Sequence, residues 1–181
     1  MIRSTTAGVL VTLVTLAGVP AYASPADDVR AAAIKFAALS SYQMSFGKGA
    51  RSGTLDVVKP DSMHMQSGST EMIRIGSTTY VKTGPRGWMK LAAMPATGPA
   101  AMADQVRSLA RDAKEGSVTD LGMKSIDGET LHAYRTTTKS GKQSTIFVGS
   151  DGLIHRIAGT SMDSNIRFGK FNAVAPIRAP I

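Results

Sequence analysis

Hydrophobic and polar positions along the chain follow two different periods. From Pro25 to Leu39 the apolar residues recur at the spacing of one helix face, and they are Val29, Ala33, Phe36 and Ala37. From Tyr42 onward they occur instead in short runs that turn residues interrupt. The first pattern predicts an amphipathic helix, and the second predicts a long series of strands.

The start of the predicted helix carries its own signals. Ser24 can cap the helix, Pro25 suits the first helical position, and Asp27 and Asp28 favour the positive end of the helix dipole. These residues place the beginning of the helix at Pro25.

Eleven strands are predicted, in two groups. They lie near 41–48, 51–58, 62–66, 70–75, 78–82 and 87–91, and then near 117–124, 129–138, 142–149, 152–160 and 164–171. Turn pairs such as Asp127-Gly128 and Asp151-Gly152 separate successive strands. Because a parallel crossover needs a dozen or more residues, connections this short predict antiparallel neighbours.

The two groups of strands are separated by a break and a second helical pattern. Residues 94–99 interrupt the sheet, and a helix is expected at about 100–114, followed by Gly116 as a stop signal. The tail, 172–181, carries two prolines and is expected to lie extended along an edge or the surface.

The apolar pattern of one strand indicates that both faces of the sheet are covered over part of its length. In 142–149, Thr145 and Phe147 point to one face while Ile146 and Val148 point to the other, so both faces are partly apolar. Two helices cannot cover both faces of an eleven-strand sheet, but they can fill the concave side of a sheet that curls. The predicted class is therefore α+β with a curved antiparallel sheet around helices.

The first 23 residues have the layout of a secretory signal peptide. Arg3 supplies the charged start, Gly8 to Val19 the apolar stretch, and Ala21-Tyr22-Ala23 the small-residue exit. The apolar stretch is shorter than the roughly 20 residues that a membrane span needs, which disfavours the alternative of an uncleaved anchor. We expect cleavage after Ala23, one domain over 24–181, and a periplasmic or secreted protein.

Composition narrows the classes of chemistry. Cysteine is absent, which excludes disulfides, thiolate metal sites, thiol catalysis and a lipid-modified cysteine anchor. The net charge is +8, but the positive residues are scattered and form no aromatic-interleaved stripe. Anionic lipid headgroups or cell-wall polymers are thus expected before nucleic acid, and solubility alone explains the charge equally well.

No catalytic or metal motif stands out. The chain has no Gly-x-Ser-x-Gly elbow and no His-Glu-x-x-His, and the glycine-rich stretch 47–53 lacks the spacing of a phosphate loop. His64, His132 and His155 have no metal-ligand spacing and are interpreted as surface or interface side chains. We expect no catalytic residue, no metal and no cofactor.

Four segments carry a resemblance to a known superfamily. They are 38–42 at the helix exit, 53–61 with its Lys-Pro turn, 71–81 as a strand pair, and 166–172 before the proline-bearing tail. With the order of elements, they make the chain similar to the bacterial lipoprotein carriers and envelope lipid-binding proteins (LolA-like). That resemblance implies a strongly curved half-barrel of about eleven strands enclosing helices. The membrane-tethered relatives begin with a lipid-modified cysteine, which this chain lacks.

The resemblance implies a non-enzymatic binding protein, expected to be monomeric, that shelters an amphipathic lipid or lipoprotein acyl chains, as a carrier. The alternative is an envelope sensor or protein-interaction module with the same fold and no lipid cargo. The residues expected to line the cavity are Val57, Met63, Met65, Ile73, Ile75, Tyr80, Trp88, Phe147 and Ile157. An error of one position in a strand would exchange any of them for its neighbour.

Methionines offer a second, overlapping set of candidates. Methionine is flexible and polarisable, and it recurs on surfaces that adapt to varied apolar partners. The candidates in the strands are Met44, Met63, Met65, Met72 and Met89. The same residues would fill an irregular core in a protein without cargo, and the sequence leaves both interpretations open.

Overall fold

A computed structural model describes residues 24–47, 52–91, 108, 111, 116–159 and 165–181. They contain one complete helix, α1 (Pro25–Ala37), and eleven strands. The strands are β1 (Ser41–Phe46), β2 (Gly53–Val58), β3 (Ser62–Ser67), β4 (Thr70–Ile75), β5 (Thr78–Thr83), β6 (Met89–Leu91), β7 (Ser117–Ile126), β8 (Glu129–Thr137), β9 (Gln143–Val148), β10 (Ile154–Gly159) and β11 (Asn165–Gly169). All eleven predicted strands are confirmed. The predicted signal peptide lies outside the described residues, as does most of the predicted second helix.

Helix α1 begins where its sequence predicts. The hydroxyl oxygen of Ser24 accepts a hydrogen bond from the backbone N–H of Asp27 at 3.2 Å, and Pro25 occupies the first turn. The helix ends at Ala37, two positions before the expected end at Leu39, and Ala38 is its C-cap residue. Its buried side chains are Val29, Ala32, Ala33 and Phe36. Among the described residues, no helix has both the length and the apolar character that a bilayer crossing requires.

All eleven strands form one antiparallel sheet in the order β6-β5-β4-β3-β2-β1-β11-β10-β9-β8-β7. Each half of the sheet is a meander of consecutive strands. The pairing of β1 with β11 joins the two halves, and β6 and β7 are left at opposite edges. The sheet is open and curved, and this confirms the predicted half-barrel.

The two faces of the sheet differ in what covers them. Residues directly opposite each other in an antiparallel pair share a face, so the strand registers assign each side chain to one of two faces. We call the face that packs on α1 the helix face and the opposite one the far face. On the helix face, Phe36 packs against Tyr42 and Phe168 with ring centroids 4.9 and 4.8 Å apart. These contacts hold Phe36 of α1 against β1 and β11, where the two meanders meet.

The far face has a smaller apolar cluster of its own. Leu131, Ala133 and Phe147 are buried there, with Ala158 packed beside them. Since Ile146 is buried on the helix face, β9 is buried on both faces, as its sequence predicts.

The C-terminal tail lies against the far face. Asn172 fixes its start, because its backbone N–H donates to the carbonyl of Ser41 at 2.8 Å and its side-chain oxygen accepts from the N–H of Ser40 at 2.8 Å. Beyond it, residues 173–181 form neither helix nor strand, and 173–178 line a surface pocket together with Asp56 and His64. The expected surface position of the tail is confirmed.

Candidate functional site

Seven adjacent strands each contribute one apolar side chain to a single row on the helix face. Each member lies directly opposite the next, and Phe168 ties the row to α1. The members, in strand order, are Phe168, Met44, Leu55, Met65, Met72, Val81 and Met89. We call this set the methionine row, because four of its seven side chains are methionines.

Exposure rises along the methionine row toward the β6 edge. Leu55 is 4% exposed, Met65 and Met72 are half-buried, and Met89 is 47% exposed. Helix α1 makes its main contacts with β7, β9 and β10, in the other half of the sheet. Among the described residues, the β3–β6 end of the row is therefore the part that retains accessible apolar surface.

The half of the helix face under α1 is closely packed. A gap among Phe36, Ile154, Ile157 and Phe168 is too small to hold a water molecule. Interiors without voids leave no room for an additional apolar chain. Among the described residues, the apolar surface accessible to a ligand on this face therefore lies over β3–β6 rather than among these four side chains.

The nine side chains expected to line one cavity are divided between the two faces. Val57, Met63, Met65 and Ile157 lie on the helix face, whereas Ile73, Ile75, Tyr80 and Phe147 lie on the far face. Trp88 lies near Lys82, a far-face residue whose Nζ is 5.9 Å from the ring centre. The nine cannot share one cavity, because adjacent positions in a strand point to opposite faces. Which of them contact a ligand stays a prediction.

The methionines are distributed differently from those nine residues. The five candidate methionines all lie on the helix face; four belong to the methionine row, and Met63 lies directly opposite Val57 beside it. Sequence reasoning missed Phe168, Leu55 and Val81 as members of the row. Their cross-strand registers against the methionines place them there, and the sequence alone does not contain those registers.

Each of the three histidines pairs with a carboxylate. His64 Nε2 lies 2.8 Å from Glu71 Oε1, and His132 Nε2 lies 2.7 Å from Asp120 Oδ1. Burial raises the pKa of Glu71, but hydrogen bonds from His64 and Gln66 outweigh it, and the net pKa is lowered. These are cross-strand pairs at the sheet surface, which fits the predicted surface or interface role.

His155 differs from the other two because it contacts two carboxylates. Its Nε2 lies 3.0 Å from Asp151 Oδ1, and its Nδ1 contacts Glu129. Its ring also packs edge-on against Phe171, with centroids 5.1 Å apart. Across the described residues, no group of three or more His, Asp or Glu side chains has the geometry to hold a metal ion.

No protein-family model matches the chain, and a comparison with curated proteins gives no match. Solved structures do match it. The Mycobacterium tuberculosis lipoprotein LppX aligns with a TM-score of 0.59 and 15% identity, over 85% of this chain and 98% of LppX. That likeness shows the fold, and the LolA-like half-barrel predicted from the sequence is confirmed at that level.

Two further solved structures align less closely. A chain of the Pseudomonas aeruginosa MucA/MucB complex has a TM-score of 0.44 and 13% identity over 86% of this chain. This protein spans about three fifths of that chain, with 59% of it covered. A DUF1329 family protein from Desulfovibrio piger has a TM-score of 0.33 and 16% identity, over 78% of this chain and 76% of its own.

Proposed function

We propose that this protein is an exported, non-enzymatic binding protein that shelters an amphipathic lipid, or the acyl chains of a lipoprotein, against the methionine row. The observation that carries the proposal is the row itself, an unbroken line of apolar side chains across β11 and β1–β6. Its accessible end consists of Met65, Met72, Val81 and Met89, and flexible thioether side chains suit cargo of variable shape.

The dimensions of the row suit an acyl chain. Strands lie about 4.8 Å apart, so the row from β1 to β6 extends for about 24 Å across the sheet. Burial of each CH₂ group contributes about 0.8 kcal/mol. A chain lying along the row would therefore be held by apolar burial alone, and weak side-chain specificity would permit transfer to a partner.

The export part of the proposal rests on residues 1–23 and on composition. The leader has the three-part layout of a cleavable signal, and the chain contains no cysteine to which a lipid anchor could be attached. The likeness to a structure named as a lipoprotein is consistent with an envelope location.

The full chain, expressed with its leader in a bacterial host and recovered from the periplasm, provides the test. Native mass spectrometry followed by lipid extraction should detect a co-purifying lipid. The protein mass should be that of a chain that starts at Ser24. Met72→Lys should abolish lipid binding, because it places a charge in the accessible part of the row.

Ile75→Lys is the matched control. Ile75 lies on the same strand and is also half-buried, but its side chain is on the far face. It should retain the lipid, with circular dichroism confirming that both variants are folded. A wild-type protein that stays ligand-free after incubation with envelope lipids would overturn the proposal and favour an envelope sensor or interaction module.

A further inference from the structure

The far face carries a polar counterpart of the methionine row. Seven directly opposed residues cross β10, β11 and β1–β5, and every one of them is polar or charged. They are Arg156, Arg167, Ser45, Thr54, Gln66, Glu71 and Lys82. We call this set the polar row.

The β10–β11 end of the polar row brings two like charges together. Arg156 and Arg167 are direct cross-strand partners, an arrangement that is unfavourable unless an anion lies between them. Both guanidinium groups donate to the same atom, Oδ2 of Asp127, from Arg156 Nη1 at 3.1 Å and from Arg167 Nη2 in a closer contact. One carboxylate between two guanidinium groups leaves a net positive charge.

A surface pocket of about 470 Å³ lies beside this arginine pair. Its walls include both arginines and the neutral hydrogen-bonding side chains of Ser45, Thr54, Gln66 and Asn165. No carboxylate occurs among the described residues that line it. The pocket therefore combines positive charge with several neutral polar groups.

We propose that this pocket binds an oxyanion such as a phosphate group between Arg156 and Arg167. Asp127 Oδ2 marks the position to which both guanidinium groups direct their N–H donors, and an arriving oxyanion would replace it. A phosphate carries more charge than a carboxylate and can accept bidentate bonds from both arginines.

Asp127 is suited to being displaced. It lies in the turn between β7 and β8, its φ of 53° is in the left-handed region, and its side chain is 58% exposed. Arg167 is 55% exposed, and an ion pair this open to water contributes little to stability. The pocket also includes Phe46 and Ile166, which are helix-face positions at strand ends, but no residue that lines it belongs to the methionine row. The inference is therefore independent of the proposed lipid cargo.

Calorimetric titration of the full protein with inorganic phosphate, against sodium chloride at matched ionic strength, tests the site. The double variant Arg156→Gln/Arg167→Gln should weaken phosphate binding at least tenfold. Asp127→Asn should strengthen it at least threefold, because the competing negative charge is removed. The matched control is Arg135→Gln, which removes a far-face arginine on β8 that does not line the pocket, and it should change nothing.

The outcomes separate a built site from general surface charge. Equal weakening by Arg135→Gln and by the double variant would overturn the proposal, as would unchanged affinity in Asp127→Asn. Thermal unfolding establishes that each variant is folded, and Arg167→Lys, which keeps the charge, should retain part of the affinity.

Vesicles distinguish the two sources of the anion. If wild-type protein binds phosphatidylglycerol vesicles but not phosphatidylcholine vesicles, and the double variant binds neither, the pocket takes a lipid headgroup. Phosphate binding without vesicle binding identifies a free anion. Absence of both kinds of binding contradicts the proposal while leaving the lipid cargo of the methionine row untouched.

Discussion

The hydroxyl of Tyr134 donates a hydrogen bond to Oδ2 of Asp28 at 3.1 Å and so joins β8 to the first turn of α1. Tyr134 is buried, and its ring stacks on His132 with centroids 4.5 Å apart. Burial, followed by the negative charge of Asp28, disfavours the phenolate and raises the pKa of Tyr134 to about 12. The contact therefore couples the position of the helix to a titratable group.

This coupling predicts a loss of stability at high pH. A phenol whose folded pKa lies above its unfolded value of 10 contributes stability that is complete below pH 10 and is lost as pH rises through 12. Asp28→Asn should lower the pKa of Tyr134 without restoring 10, because burial is the larger cause. Absorbance at 295 nm during alkaline titration measures the pKa of Tyr134. The control is Asp27→Asn, on the exposed side of the same turn, which should leave that pKa unchanged. An unchanged titration in Asp28→Asn would contradict the assigned role of Asp28.

The aromatic cluster around Phe36 predicts a large cost of truncation. Phe36 is buried and contacts Tyr42, Phe168 and Phe171. Phe36→Ala should lower the free energy of unfolding by about 3–5 kcal/mol, because it leaves a cavity under α1. Urea unfolding measures the change. Ile34→Ala, at a helix position that is 61% exposed, should stay within about 0.5 kcal/mol, and similar losses in the two variants would refute the packing argument.

Replacing Gly53 in β2 with a larger residue should cause a steric clash. A Cβ atom there would lie 2.7 Å from the carbonyl oxygen of Gln66 and 2.7 Å from the ring of Phe46. Because the oxygen belongs to the backbone of β3, the strands would have to shift, and Gly53→Ala should destabilise the protein by about 1–3 kcal/mol. Gly169→Ala is the control, since nothing lies near a Cβ atom at that strand position. Thermal melts of the two variants should differ in midpoint, and coincident melts would count against the clash.

Asp151 predicts a loss of stability in acid. Burial raises the pKa of its carboxyl, but the backbone N–H of Leu153 and the contact with His155 outweigh burial and lower the pKa. Stability from this group is complete above the unfolded pKa of 3.8 and is lost as pH falls through the lower folded value. Asp151→Asn should thus be less stable than wild type at pH 5, with the difference shrinking toward pH 2. Urea unfolding between pH 2 and pH 5 measures the difference in stability between Asp151→Asn and wild type. Asp61→Asn serves as the turn-residue control. A difference between Asp151→Asn and wild type that does not change with pH would refute the prediction.

The order and spacing of elements could be predicted because local signals determine them. Ser24, Pro25 and the two following aspartates define where α1 begins, and turn pairs such as Asp127-Gly128 define where strands end. The pairing of β1 with β11 depends on contacts 120 or more positions apart, for example Met44 with Phe168. No local signal specifies such a contact, and only the tertiary structure shows it.

The sequence by itself determined the eleven strands, the start of α1 and the alternation that makes β9 apolar on both faces. The tertiary structure alone decided which of two apolar faces packs on α1, and it divided the nine expected lining residues between them. Only the tertiary structure also shows that each histidine contacts a carboxylate and that Asp127 pairs with Arg156 and Arg167. The physical reason is that side-chain alternation fixes only relative orientation within a strand, whereas face and partner follow from register between strands distant in sequence.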